Sequence, residues 1–117
     1  MDAFFKIVYA LQANGVTLVA GTDMGFPGYS VYRELELYVA AGLTPMEAIR
    51  AATIIPARVM KLSDILGSVE TGKNADLFLV DGDPVENIRN IRNVSMILKD
   101  GRIYDPEALH KTAGFSH

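Results

Sequence analysis

Gly15-Val16-Thr17-Leu18-Val19-Ala20-Gly21-Thr22-Asp23 is a short apolar run that ends in a carboxylate. Its β-branched residues, with glycine at both ends, give residues 16–20 the pattern of a buried strand. A run that is apolar on both faces suits a parallel sheet covered by helices, not an antiparallel sheet with one wet face. Asp23 follows where such a strand leaves its sheet. The carboxyl ends of parallel strands are where ligands and catalytic groups collect. Asp23 is therefore the first candidate functional residue.

Working outward, Phe4, Val8 and Leu11 recur at helical spacing with Ile7 beside them, which predicts a helix over 2–13 stopped by Asn14-Gly15. A helix, a tight turn and a buried strand make half of a β/α unit. The loop Met24-Gly25-Phe26-Pro27-Gly28-Tyr29 follows Asp23. As a βα connection it needs its glycines for the turn, and in an intact enzyme it would wall a substrate pocket. Met24 and Phe26 are the candidate substrate contacts.

Ser30 is placed to cap a helix over 31–41, with Val31, Leu35, Tyr38 and Val39 as its apolar stripe and Gly42 at its end. Thr44-Pro45-Met46-Glu47 is a capping box with proline at the first helical position, opening a helix to about residue 53. Pro56 is expected to restart a shorter helix over 56–62 with Val59 and Met60 inward. From Gly67 the periodicity becomes that of strands and turns. Short strands are expected at 68–70, 75–80, 94–98 and 102–104, with one helical turn near 85–90. Lys99-Asp100-Gly101 carries the Asp-Gly hairpin signal. Residues 105–117 form a tail, frayed helix or loop.

The fold class is thus α/β overall, or α+β for the piece taken alone: helices around one parallel-type strand, then a small β unit. The β edges, taken to lie at 75–80 and 94–98, invite pairing with another chain.

Composition narrows the function classes. The chain has 117 residues, half of them hydrophobic and 21% charged, which is globular composition. Net charge is −3 with signs interleaved, against a nucleic-acid partner, which wants a basic stripe. No apolar run approaches the roughly 20 residues of a membrane span. There is no cysteine, so no disulfide framework and no thiolate metal site. The N-terminus lacks a basic region and cleavage site, and a cytoplasmic setting is expected.

Several residues have plain structural readings. Arg33 and Glu34 suit a solvated or locally paired helix face. Gly72-Lys73 lacks the rest of a phosphate-binding loop. Asp76 suits a turn-bonding role at a strand start. His110 and His117 lie in the tail without metal-ligand spacing.

Taken together, the stretches resemble metal-dependent amidohydrolases. The resemblance is carried by Val16-Thr17-Leu18-Val19-Ala20-Gly21-Thr22-Asp23, with Glu34-Leu35 at fitting spacing and Ala41-Gly42-Leu43-Thr44-Pro45-Met46-Glu47-Ala48-Ile49 after it. It continues through Ala51-Ala52-Thr53, Pro56-Ala57-Arg58 and Gly67-Ser68-Val69-Glu70-Thr71-Gly72-Lys73-Asn74-Ala75-Asp76-Leu77, and ends on Asp83-Pro84 and Ile97-Leu98-Lys99-Asp100-Gly101-Arg102. The nearest branch is similar to imidazolonepropionase- and Xaa-Pro-dipeptidase-like enzymes.

The resemblance implies a (β/α)₈ barrel with one or two divalent metals, zinc first among them, that hydrolyses C–N bonds with metal-activated water. It implies that Asp23 is a metal ligand and the general base. It also implies that the other ligands, a His-x-His pair, a lysine or glutamate and two further histidines, are missing from these residues. Residues 1–66 would be the end of the barrel, 67–104 the C-terminal segment of a small β-sandwich, and 105–117 a tail. A complete barrel takes about 250 residues. The chain is accordingly expected to be a C-terminal portion, inactive and metal-free alone. Its expected partner is the missing N-terminal barrel portion or a second copy in a homo-oligomer. The rival reading is a non-catalytic, self-associating or complementing assembly module.

Overall fold

The computed structural model describes residues 2–21 and 30–112, the side chains of Asp2 and His110 excepted. Its elements are α1 (Asp2–Ala13), α2 (Ser30–Ala40), α3 (Pro45–Ala52), α4 (Ile54–Val59), β1 (Leu77–Val80), a 3₁₀ turn (Ile88–Arg92), β2 (Val94–Lys99), β3 (Arg102–Tyr104) and α5 (Pro106–Thr112).

Three helices end the same way. After α1, Gly15 takes φ +78, its N–H reaches the Gln12 carbonyl at 3.2 Å, and Val16 N–H reaches Leu11 O at 2.9 Å. After α2, Gly42 and Leu43 bond Val39 and Tyr38. After α4, Lys61 and Leu62 bond Arg58 and Ala57. This double closure satisfies carbonyls that the helix leaves open, and it needs a left-handed residue, normally glycine. At the third site that residue is Lys61, at φ 61.

The start of α3 is the capping box that its sequence announces. Thr44 Oγ1 accepts from Glu47 N–H at 3.1 Å, and Glu47 Oε1 accepts from Thr44 N–H at 2.8 Å. Glu47 Oε2 takes a bond from Gln12 Nε2 at 2.8 Å, tying α1 to α3.

The core lies among α1, α2, α3 and the 3₁₀ turn. Leu35 is 1% exposed and Ala48 0%, with Val8, Tyr38, Leu43, Ala51, Ile88 and Ile91 around them. Alanines on α3 let α2 approach closely. Ile88 and Ile91 insert against the helices and join the β unit to them. An ion pair supports this seam: Arg92 Nε meets Glu36 Oε2, and Arg92 Nη2 donates to Glu36 Oε1 at 3.2 Å. The Arg92 guanidinium also lies 5.9 Å from the centre of the Tyr32 ring.

The sheet is antiparallel in the order β1-β2-β3, with Leu77 opposite Leu98 and Ile97 opposite Tyr104. Asp100 and Gly101 both take positive φ, as a tight hairpin requires. Asp76, just before β1, holds that hairpin, accepting Asp100 N–H at 2.8 Å and facing Lys99 Nζ at 3.2 Å. Among the described residues the architecture is therefore α+β.

Several expectations are corrected. Residues 16–20 join no sheet among the described residues. Leu18 and Ala20 pack on the helical core, while Val16 and Val19 are 45% and 41% exposed. The alternation of a strand survives, but a ladder needs a neighbour and none of the described strands adjoins it. The helix expected from Pro56 begins at Ile54 instead, with Pro56 in its first turn, where a missing N–H leaves no bond unmade. Ala57 is its buried residue, and Val59 and Met60, expected inward, face solvent. No strand forms at 68–70. Lys73 there bonds Ser68 Oγ at 2.7 Å and pairs with Glu70 at 2.8 Å, a local turn network that competes with extended pairing. The strand expected over 75–80 begins only at Leu77, and the helical turn expected near 85–90 forms over Ile88–Arg92. Finally, β2 is the central strand, so residues 94–98 are not an edge; β1 and β3 are.

Candidate functional site

Asp23, Met24 and Phe26, the three candidate site residues, lie outside the described residues. The structure does describe the approach to them. Two consecutive amides at the end of the 16–21 stretch are held by two different helices. Ala20 N–H donates to the Ala51 carbonyl on α3 at 2.8 Å. Gly21 N–H donates to Glu34 Oε1 on α2 at 3.0 Å. Successive amides of an extended chain point to opposite sides, so this pair clamps the stretch between α2 and α3.

Glu34, read from the sequence as solvated or locally paired, does pair locally, and it also takes the long-range Gly21 bond that the sequence did not signal. Its Oε1 also accepts the Tyr38 hydroxyl at 2.5 Å, one helical turn along α2. Its Oε2 is buried and has no hydrogen-bond partner among the described residues. Burial pushes the Tyr38 phenol far above its usual range, and the bond to Glu34 and that carboxylate's charge add to the shift. Tyr38 is therefore a neutral donor at every physiological pH. The signal for this pairing in the sequence is the i, i+4 spacing of Glu34 and Tyr38.

Elsewhere on the helices, burial pushes Glu36 up, but the bond and charge of Arg92, with help from Arg33 and Arg89, hold it below the usual carboxylate range. Glu47 is lowered by the Thr44 backbone N–H, then by Gln12 and the Thr44 side chain. Both carboxylates are engaged in structural bonds. A groove of about 320 Å³ between α2, α3 and β1 is lined by Val31, Tyr32, Leu35, Ile49, Phe78 and Ile91, among others, and offers no carboxylate or imidazole for catalysis.

Residues 4–104 match the sequence model of the amidohydrolase family. The chain belongs to the amidohydrolase family. It is 33% identical over 114 residues to the imidazolonepropionase of Geobacillus thermodenitrificans (strain NG80-2), covering 86% of this chain and 27% of that protein. It is 32% identical over 108 residues to the ochratoxinase of Aspergillus niger, covering 88% of this chain and 22% of that one. The crystal structure of a Xaa-Pro dipeptidase with bound methionine in the active site superposes with a TM-score of 0.76 at 36% identity, over 89% of this chain and 25% of the dipeptidase. The chain thus spans about a quarter of the length of the relatives it matches.

The family resemblance implies a divalent metal, and hydrolytic metal sites take three or more protein ligands. Among the described residues no three His, Cys, Asp or Glu side chains stand together. At the exit of the 16–21 stretch the carboxylate in contact is Glu34, and one of its oxygens already carries two donors. The described residues do not by themselves fit a metal. Nor is any described helix long and apolar enough to cross a membrane.

Proposed function

We propose that this chain is the C-terminal portion of a metal-dependent amidohydrolase that hydrolyses the C–N bond of an amide, cyclic amide or dipeptide. The observation that carries the reading is the family match over residues 4–104, which includes the apolar run ending in Asp23. In this reading residues 1–66 close a (β/α)₈ barrel and residues 67–104 belong to a small β-sandwich. The exposed Val16 and Val19, on a strand-like stretch without a neighbouring strand among the described residues, support the first assignment because barrel strands are covered on both sides.

Asp23 is the carboxylate assigned to accept the proton of the attacking water and to contribute one ligand to the metal centre, zinc being the metal proposed. Met24 and Phe26 contact substrate in the same reading. The remaining ligands lie on polypeptide outside these residues. The partner is accordingly the N-terminal barrel portion or a second, self-associated copy in a homo-oligomer, and the compartment is the cytoplasm. Alone, the chain is inactive.

The test is an assay of the purified chain with zinc or manganese against amide and dipeptide substrates. No turnover above the metal blank is expected. Robust turnover that Asp23→Asn abolishes would overturn the assignment of inactivity while upholding Asp23.

A further inference from the structure

The groove between α2, α3 and β1 has a volume of about 320 Å³. Leu35, 1% exposed, lines its inner side, and Val31 and Phe78, 46% and 44% exposed, line its open side. Ile49, Ala52 and Ile91 complete the apolar wall. No charged side chain is among its described lining residues. The Thr53 hydroxyl already donates to the Ile49 carbonyl at 2.8 Å, and the neighbouring Arg92 guanidinium is engaged by Glu36. Such a lining gives a water molecule few of the about two to four polar partners that hold it in place. An apolar group seated there gains dispersion contacts on several sides.

Size and polarity select the occupant. One turn of an α-helix with its side chains, about 10 Å across and about 5.4 Å long, takes roughly 400 Å³, more than the groove holds. An apolar cavity of about 150 Å³ binds benzene, and the groove has about twice that volume. We propose that it is a binding site for a small, uncharged, planar apolar molecule of two rings. Two of its walls are helices fixed by the core, so binding demands little ordering of the protein. The site is separate from the assignment of Asp23 and does not depend on it.

Naphthalene is the probe, added to the full chain and followed by methyl NMR. The methyl resonances of Val31, Leu35, Ile49 and Ile91 should shift and saturate together. Those of Val59 and Val69, exposed apolar residues outside the groove, should stay in place. Benzene should move the same resonances with several-fold weaker affinity, because it buries less apolar surface. Ala52→Leu extends a good helix former into the groove and should weaken naphthalene binding by about fivefold or more, since the added carbons displace ligand from the wall. Phe78→Ala, at a half-exposed position, removes the outer wall and should weaken binding as well. Absence of saturable shifts up to the solubility limit of naphthalene would overturn the proposal. So would equal shifts at Val59 and Val69, which mark nonspecific adsorption, or wild-type affinity in both variants. Groove resonances that move with protein concentration alone, with a doubled mass by light scattering, would assign the groove to a second copy of the chain and overturn it too.

Discussion

Gly67→Ala should be among the most damaging single-methyl additions in this chain. Gly67 takes φ +99 at the boundary between the helical part and the β unit. A Cβ placed there falls 2.6 Å from the Ala57 Cβ and 3.2 Å from the Ile54 Cα. Neither atom is the end of a flexible side chain; both are fixed to α4. Two costs therefore combine. A left-handed conformation costs a non-glycine residue about 1–2 kcal/mol. Forcing a methyl into a packed contact costs about 1–3 kcal/mol more, for a total of roughly 2–5 kcal/mol. Gly72→Ala separates the two, because Gly72 takes φ +92 but has nothing within 4 Å of the added Cβ. It should lose only the backbone part, about 1–2 kcal/mol. Ala57→Gly in the Gly67→Ala background removes the closest colliding atom. It should recover part of the packing loss, less the cost of about 1 kcal/mol for glycine in a helix. Urea unfolding followed by circular dichroism gives each midpoint and slope. If Gly67→Ala costs no more than Gly72→Ala, the packing of residue 67 against α4 is wrong.

Other substitutions probe separate parts of the fold. Lys61→Gly should stabilise the chain by several tenths of a kcal/mol to about 1 kcal/mol, because it relieves a left-handed non-glycine residue at a helix end; thermal melting reads it directly. Leu35→Ala empties the centre of the core and should cost about 2–5 kcal/mol in urea unfolding. Glu36 and Glu47 are held below the ordinary carboxylate value of 4.5, so their contribution is present above that value and is lost as pH falls through their folded-state values. The urea midpoint should therefore drop from about pH 5 downward, and Arg92→Met should flatten that drop by removing the principal partner of Glu36.

Local chemistry made much of this fold legible. Thr44-Pro45-Met46-Glu47 announced its capping box because every partner lies within four residues. Asp100-Gly101 announced its hairpin because the turn geometry is set by those two residues. What depends on distant neighbours was not legible. Residues 16–20 carry a strand pattern, yet pairing is a property of two segments, and no described strand adjoins this one. Val59 and Met60 have the composition of a core and face solvent, because the position of α4 is set by Ala57 and Gly67 meeting across the seam. Lys61 ends a helix where glycine is the recognisable signal. The local pairing of Glu34 was legible, but its bond from Gly21 was not, because Gly21 lies thirteen residues away and only the tertiary fold brings them together.

In the proposed function this chain carries one carboxylate, Asp23, of a metal centre whose other ligands lie elsewhere. The most direct test is metal analysis of the purified chain after incubation with excess zinc and gel filtration. Far less than stoichiometric zinc is expected, the same for the wild-type chain and Asp23→Asn. Stoichiometric zinc that survives filtration and disappears in Asp23→Asn would contradict it.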